Sequence, residues 1–304
     1  MKIRPWALIA SRWLSFDRVL VSPAHQALSS GSGGRVLVVD GLGTDDWSFY
    51  CALSYPSAKV YNLSQAFPFP PPTGSAPPVS PSVPRPPNHH QVHYPSFATP
   101  FPFPKGFFDV ICFRFLPSSS DAHWAFILSQ CKRVLRPGGH LEVTLLDADL
   151  MNVGPRTQRA VDLVKAIMQR ESEAVGSSAA PRPASEKVLR ILAKKGFEDV
   201  NKCFVGLPAV GKVGSSGAGG ERGTTEREHS PEDPDDINEV VSKVGRWWYS
   251  RCYEGVITAQ GEHMERSMWA DRALLRECRK RHTNFRMLVC CARKPVRGEV
   301  RDRE

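Results

Sequence analysis

Between Arg35 and Trp47 the chain reads Arg-Val-Leu-Val-Val-Asp-Gly-Leu-Gly-Thr-Asp-Asp-Trp, an apolar run that enters two closely spaced glycines. Val36 to Val39 suit a parallel strand buried on both faces. Gly41 and Gly43 allow a sharp turn and let a ligand approach the backbone. Asp45, Asp46 and Trp47 then open a helical run through Phe49, Tyr50, Ala52 and Leu53. A strand, a glycine turn and a helix in that order present free backbone N–H groups at a helix N-terminus, the chemistry that holds nucleotide-like ligands. A βα turn that binds nothing has the same local pattern, so the surrounding elements must decide. Arg114 and Phe115 close a second apolar run, at a strand end where sheet-crevice ligands bind. Arg114 suits an anionic group there, or a salt bridge to Asp121 or Asp147.

The elements that would position these residues follow from periodicity. Val60 to Ser64 reads as a strand with Asn62 near its end, and Phe107 to Leu116 as another. A helix over Ala122 to Leu135 ends at Pro137-Gly138-Gly139, and His140 to Leu146 forms the next strand. Arg156 to Glu173 and Ser185 to Lys195 have helical spacing, and Phe197 to Leu207 reads as a strand. Ile237 to Val256 predicts a helix and Asn284 to Arg293 a final strand. Strands alternating with helices imply an α/β, Rossmann-like, doubly wound and mostly parallel sheet.

Four segments carry a family resemblance: the glycine turn at 41–46, Pro102-Phe-Pro-Lys-Gly-Phe-Phe-Asp-Val-Ile111, the helix leading into Leu135-Arg-Pro-Gly-Gly139, and the strand after it. Their order and spacing resemble the class I S-adenosylmethionine-dependent methyltransferases, in particular the type 11 domain and fungal proteins carrying it. The resemblance covers residues 33 to 150 well and the remainder loosely. It implies a seven-stranded sheet whose last strand, residues 284–293, is antiparallel. It also implies S-adenosylmethionine as cofactor, held by Asp40, Gly41, Leu42, Gly43 and Asp45 at the first turn. Asn62 and Leu63 would follow at the second strand, Ser96 and Phe97 after the third, and Phe115 after the fourth.

This chain departs from the family pattern at several of those positions. With Gly41 and Gly43 as the first two glycines, the usual acid falls on Val39 and the third glycine on Asp45. Asp40 is displaced by one residue, so its side chain belongs on the other strand face. The ribose-binding acid is Asn62, which still hydrogen-bonds hydroxyls, although charge-assisted bonds are about twice as strong. The adenine-contacting acid is Ser96.

Methyl transfer from a sulfonium is an in-line displacement, so such a protein chiefly aligns the reactants and excludes water. A base is required only where the acceptor must lose a proton. His123, just after the fourth strand, and Arg114 are the candidate catalytic side chains, whereas His140 reads as structural. The aromatic set Trp247, Trp248, Tyr249 and Tyr253 is the candidate acceptor pocket, against the plainer reading of an aromatic core stripe.

The chain of 304 residues, at net charge +9, divides into five expected parts. Residues 1–32 form an N-terminal helical segment; residues 33–210 and 237–295 form the domain, with a proline-rich insertion at 67–87. Residues 211–236 form a linker, acidic in its second half and expected to be disordered, and 296–304 a basic tail. Trp6, Leu8, Ile9, Trp13 and Leu14 predict an apolar stripe packed against the domain, a reading preferred over organelle targeting. The proline-rich insertion is a surface loop open to a module that binds extended proline segments, though an inert insertion is the simpler reading.

The eight cysteines show no metal-binding spacing, which predicts no metal and buried free thiols in a reducing, cytoplasmic or nuclear, setting. No stretch is long and apolar enough to predict a membrane span. Residues 243–304 carry fifteen Lys and Arg against eight Asp and Glu. Without an accompanying motif, that excess reads as solvated helix faces, and nucleic acid is disfavoured as a partner.

The expected function is methyl transfer from S-adenosylmethionine to a small-molecule or protein acceptor. The alternative is a catalytically degenerate module of the same fold acting as a binding or scaffold protein. A nicotinamide oxidoreductase is disfavoured, because Asp46 stands where Gly-x-Gly-x-x-Gly needs its third glycine.

Overall fold

The computed structural model describes residues 5–15, 17–42, 46–64, 84–94, 96–115, 121–174, 182–211, 234–254 and 267–296. Residues 67–83 of the expected proline-rich insertion, 212–233 of the expected linker and 297–304 of the expected tail lie outside them.

Two N-terminal helices, α1 (Pro5–Leu14) and α2 (Ala24–Ser29), precede β1 (Gly34–Asp40). Then come α3 (Asp46–Ser54), β2 (Ala58–Ser64), β3 (His89–His93), β4 (Phe108–Arg114), α4 (Asp121–Val134) and β5 (Leu135–Met151). Helices α5 (Pro155–Ala174) and α6 (Ala184–Lys194) lead to β6 (Glu198–Pro208), followed by α7 (Pro234–Tyr249). A short 3-10 turn at Met268–Ala270, α8 (Arg272–Arg281) and β7 (Asn284–Arg293) complete the order.

The seven strands form one sheet in the order β3-β2-β1-β4-β5-β7-β6. Pairs β1–β2, β2–β3, β1–β4 and β4–β5 are parallel, and β7 runs antiparallel to both β5 and β6. The sheet is therefore the mostly parallel, Rossmann-like one expected, with an antiparallel last strand. Leu37, Val39, Ile111, Phe113, Val143 and Leu145 face a core completed by α4 and α6, including Trp124, Ile127, Val188 and Leu192. Val36, Val38, Val110 and Cys112 face the opposite way, against Trp47, Cys51 and Ala52 of α3. Every residue of β1 from Val36 to Val39 is fully buried, which is why that strand reads as an unbroken apolar run rather than an alternating one.

Two elements depart from expectation. Strand β5 starts at Leu135, so α4 passes directly into it and Pro137-Gly138-Gly139 forms an irregularity inside the strand, between the pairs Phe108–Leu135 and Val110–His140. The end of β7 stitches that turn: Gly138 N–H donates to the Lys294 carbonyl and Lys294 N–H to that of Gly139. The Lys294 ammonium also donates to the Lys132 and Leu135 carbonyls, capping the C-terminus of α4. The N-terminal stripe is the second departure. Helix α1 buries Ala7, Ala10, Ser11 and Leu14, leaving Trp6, Ile9 and Trp13 outside. On the inward face Ala7, Ser11 and Leu14 lie over Trp47 and Trp248, with Leu8 half-buried beside them.

Seven of the eight cysteines are buried free thiols, as expected, and Cys203 is exposed. Among the described residues no helix is long and apolar enough to cross a membrane.

The two glycines of the β5 irregularity act differently. Gly138 has φ +74°, and a Cβ on Gly139 would lie 2.8 Å from the Asp109 carbonyl oxygen. Gly139→Ala should therefore lower stability by about 1–3 kcal/mol through overpacking, and Gly138→Ala by about 1 kcal/mol through backbone strain. Urea unfolding of both variants checks this; two unchanged midpoints would refute the packing account.

Candidate functional site

The order of the sheet reverses between β1 and β4, and a parallel sheet opens a crevice outside its strand ends at such a point. Asp40 lies opposite Arg114 in register. Beyond them Gly41 N–H donates to the Arg114 carbonyl at 2.9 Å, and Phe115 N–H to the Thr144 carbonyl at 2.8 Å. Asp40 Oδ1 accepts from Leu42 N–H at 2.8 Å, so a buried carboxylate shapes the first bend of the glycine turn. Gly43 and Asp45 lie outside the described residues.

Arg114 is buried under α1 and α3. Its guanidinium lies 4.0 Å from the Trp47 ring centroid and 5.2 Å from that of Phe115, and it donates to Ser11 Oγ at 3.4 Å. It pairs with neither Asp121 nor Asp147. Asp121 binds Lys187 and Arg190 of α6, whereas Asp147 holds Arg286 and the Ser185 amide and hydroxyl. Burial lowers the Arg114 pKa, opposed chiefly by the Asp40 carboxylate and more weakly by Glu142.

Glu142, on the same face of β5, accepts Ser22 N–H at 2.9 Å and Val21 N–H at 3.1 Å. It thereby ties the connection between α1 and α2 to the sheet. Burial pushes its carboxyl above the usual range, although those hydrogen bonds and Arg114 oppose the rise.

The floor of the crevice is aromatic. Phe115 stacks on Trp248 with centroids 4.4 Å apart, and its carbonyl meets the Cys252 thiol at 3.6 Å. Phe115 has φ 42°, a left-handed conformation that a bulky residue adopts only when its surroundings force it. Trp248 and Cys252 supply that force. They flank the end of α7, where the helix widens into a π-turn at Ser250–Glu254, a local device common at functional sites. The helix expected to run to Val256 thus changes type at Ser250, and residues 255–266 lie outside the description.

Two small cavities remain around Arg114. One of about 30 Å³ is bounded by Ser11, Trp47, Glu142 and Trp248, and one of about 20 Å³ by Asp40, Asp46 and Phe115. Each has room for ordered water rather than a ligand.

The structure brings some of the sequence candidates together and separates others. Asp40, Gly41, Leu42, Arg114 and Phe115 converge at the reversal. Asn62 is fully buried near the end of β2, its amide donating to Gln91 Oε1 at 3.2 Å, and Leu63 belongs to the core. Ser96 Oγ accepts from Ala98 N–H within a turn, and Phe97 packs on Tyr94 at 5.6 Å. Trp247 meets Trp6 edge to face at 5.2 Å.

Tyr249 and Tyr253 are core residues. Their hydroxyls donate to the Ala148 and Leu146 carbonyls where the pairing of β5 with β7 is interrupted. His123 is half-buried in the first turn of α4, where burial lowers its pKa; the same effect leads at His140, beside Arg293 and Arg136.

Ser11, Trp47 and Glu142 join the crevice without having been candidates. A carboxylate inside the apolar run Leu141-Glu-Val-Thr-Leu145 was a usable signal for Glu142, since a buried strand tolerates a charge only with dedicated partners. Ser11 carried no such signal. Among the described residues no group of three or more His, Cys, Asp or Glu is placed to hold a metal ion.

The arrangement can be tested for S-adenosylmethionine, the cofactor that the resemblance implies. A sulfonium is a soft cation, favoured by aromatic faces and a nearby carboxylate. The Arg114 guanidinium already occupies such surroundings, on Trp47 and near Asp40, so what the site offers the group is the Asp40-Gly41-Leu42 turn beside it. In chemical type that turn fits the group.

No family model matches the chain, and no curated protein matches it. Among solved structures it is similar to a SAM-dependent methyltransferase from Archaeoglobus fulgidus, with 10% identity over 95% of this chain and 94% of that one, at a TM-score of 0.43. It is also similar to a geranyl diphosphate methyltransferase in complex with GPP and sinefungin, with 11% identity, coverage of 86% and 71% and a TM-score of 0.41. The [4+2]-cyclase SpnF matches with 16% identity, coverage of 87% and 76% and a TM-score of 0.39. Likeness at this level concerns the course of the chain and leaves the chemistry to the site.

The raised Glu142 carboxyl keeps its proton to higher pH in the native state than in the unfolded chain. Its share of stability is therefore full below about pH 4 and is lost as pH rises through the raised value. The stability of the parent relative to Glu142→Gln should accordingly fall from about pH 4 towards neutrality. A pH series of urea unfolding curves reads this, and a constant difference would contradict it. Separately, Tyr253→Phe leaves the Leu146 carbonyl without its hydroxyl partner and should cost about 1–3 kcal/mol in thermal or urea unfolding; a neutral variant would reject that role.

Proposed function

We propose that this protein is an S-adenosylmethionine-dependent methyltransferase acting on a small-molecule or protein acceptor. The observation that carries the reading is the reversal of strand order between β1 and β4, with the Asp40-Gly41-Leu42 turn at its mouth. The order of sequence motifs around that turn supports it.

When bound, S-adenosylmethionine supplies a methyl group on a sulfonium centre, transferred by in-line displacement. Asp40, Gly41 and Leu42 would hold the cofactor at the end of β1, and Asn62, Leu63, Ser96, Phe97 and Phe115 would flank it at the neighbouring strand ends. The Asn62 amide contributes neutral hydrogen bonding, in place of an acid, towards hydroxyls. Trp47, Phe115 and Trp248 exclude water and lower the local dielectric, which strengthens the influence of Asp40 on a nearby cation. Trp247 and Trp248 remain the candidate acceptor contacts, while Tyr249 and Tyr253 act indirectly by fixing α7 to β5. Burial lowers the His123 pKa and so favours the neutral ring, the form that would accept a proton from an acceptor that must lose one.

Calorimetric titration with S-adenosylmethionine and S-adenosylhomocysteine tests the proposal. Micromolar binding to the parent, abolished in Gly41→Arg with an unchanged circular dichroism spectrum, is expected. Absence of binding to the folded parent at millimolar ligand would defeat the reading.

A further inference from the structure

Helix α1 is inverted relative to an ordinary surface helix. Its inward face carries Ala7, Ala10, Ser11 and Leu14, while Trp6, Ile9 and Trp13 are 38%, 54% and 48% exposed. These three lie at i, i+3 and i+7 and so share one stripe. Together they offer about 300 Å² of contiguous apolar surface, near the size at which a patch marks an interaction site.

The charge around the stripe is positive. Trp247 abuts Trp6, and Lys243 stands one helical turn before Trp247 on α7. Arg12 and Arg18 border the other end. Asp17, bonded to Arg12 at 2.8 Å, and Glu239, bonded to Lys243 at 2.6 Å, hold their cations in exposed pairs. Exposed pairs of this kind are weak and yield readily to a competing anion. In sequence, Lys2 and Arg4 add two more positive charges before the helix.

Two tryptophans beside an aliphatic side chain, within a basic border, match the interface of an anionic bilayer. There indole rings sit at headgroup depth and cations meet lipid phosphates and carboxylates. We propose that α1 is a peripheral membrane anchor, docking through Trp6, Ile9 and Trp13 onto a lipid surface rich in anionic headgroups. The anchor inserts to headgroup depth without a span, and it is independent of how the crevice is read.

Co-sedimentation of the full chain with vesicles tests this, comparing phosphatidylcholine mixed with phosphatidylserine against phosphatidylcholine alone. Binding should favour the anionic vesicles, weaken as salt rises, and drop roughly tenfold or more in Ile9→Glu/Trp13→Glu. Leu163→Glu, which alters an exposed leucine on α5, should leave it unchanged. Anionic-vesicle binding that survives Ile9→Glu/Trp13→Glu would overturn the proposal by placing the contact elsewhere. Failure to bind vesicles would overturn it too. If sedimentation then showed self-association of the parent, lost in that double variant, a second copy of the chain would be the occupant.

Discussion

The Glu142 carboxylate is the constraint on which the rest of the N-terminal half depends. It is buried, and its oxygens accept the amides of Val21 and Ser22. Those two bonds hold down the connection between α1 and α2. With that connection fixed, α1 must lie across the strand ends, Ser11 reaches Arg114, and Trp47 is roofed. A buried carboxylate is costly unless its lone pairs are filled. Here the partners are backbone amides rather than a second charge, so the contact selects one path of the chain, whichever side chains Val21 and Ser22 carry.

Around that anchor the site combines few charges with many rings. Asp40, Asp46, Arg114 and Glu142 are charged side chains under α1, and Trp47, Phe115 and Trp248 enclose them. In such low-dielectric surroundings each charge depends strongly on its neighbours. Burial moves Arg114 and Glu142 in opposite directions, each towards its neutral form, and their mutual attraction restrains both. The strained Phe115 belongs to the same economy of space, since its ring reaches Trp248 only because its backbone takes the left-handed conformation.

The sheet was legible in the sequence because buried parallel strands leave long apolar runs between turn residues. Val36–Val39, Phe108–Phe113 and Leu141–Leu146 each announce themselves that way, and Pro137-Gly-Gly139 read as a turn between helix and strand, whereas it lies inside β5. The candidate site was legible where it is local, at Asp40 to Leu42 and at Arg114. It was not legible where it depends on packing between distant segments. Ser11 lies 103 residues from Arg114 in sequence and Glu142 120 from Ser22, and no periodicity encodes those meetings. The stripe of α1 was recognised as apolar, but only Leu14 and Leu8, with the edge of Trp6, meet the domain, because periodicity gives the angle between faces and not which face the core will accept. The aromatic run at 247–253 divided for a related reason: Tyr249 and Tyr253 have hydroxyls that the interrupted β5 ladder can use, whereas Trp247 turns towards Trp6.

The π-turn that ends α7 has a consequence for how this chain can change. A π-turn spends about one residue more per turn than an α-helix, so Tyr253 occupies its place through a local surplus in chain length. Deleting a single residue between Ser250 and Cys252 would restore regular winding and shift Tyr253 off the position from which its hydroxyl reaches the Leu146 carbonyl. Substitutions across this stretch keep the count and leave the winding intact. Length, more than composition, is the property that inheritance must preserve there.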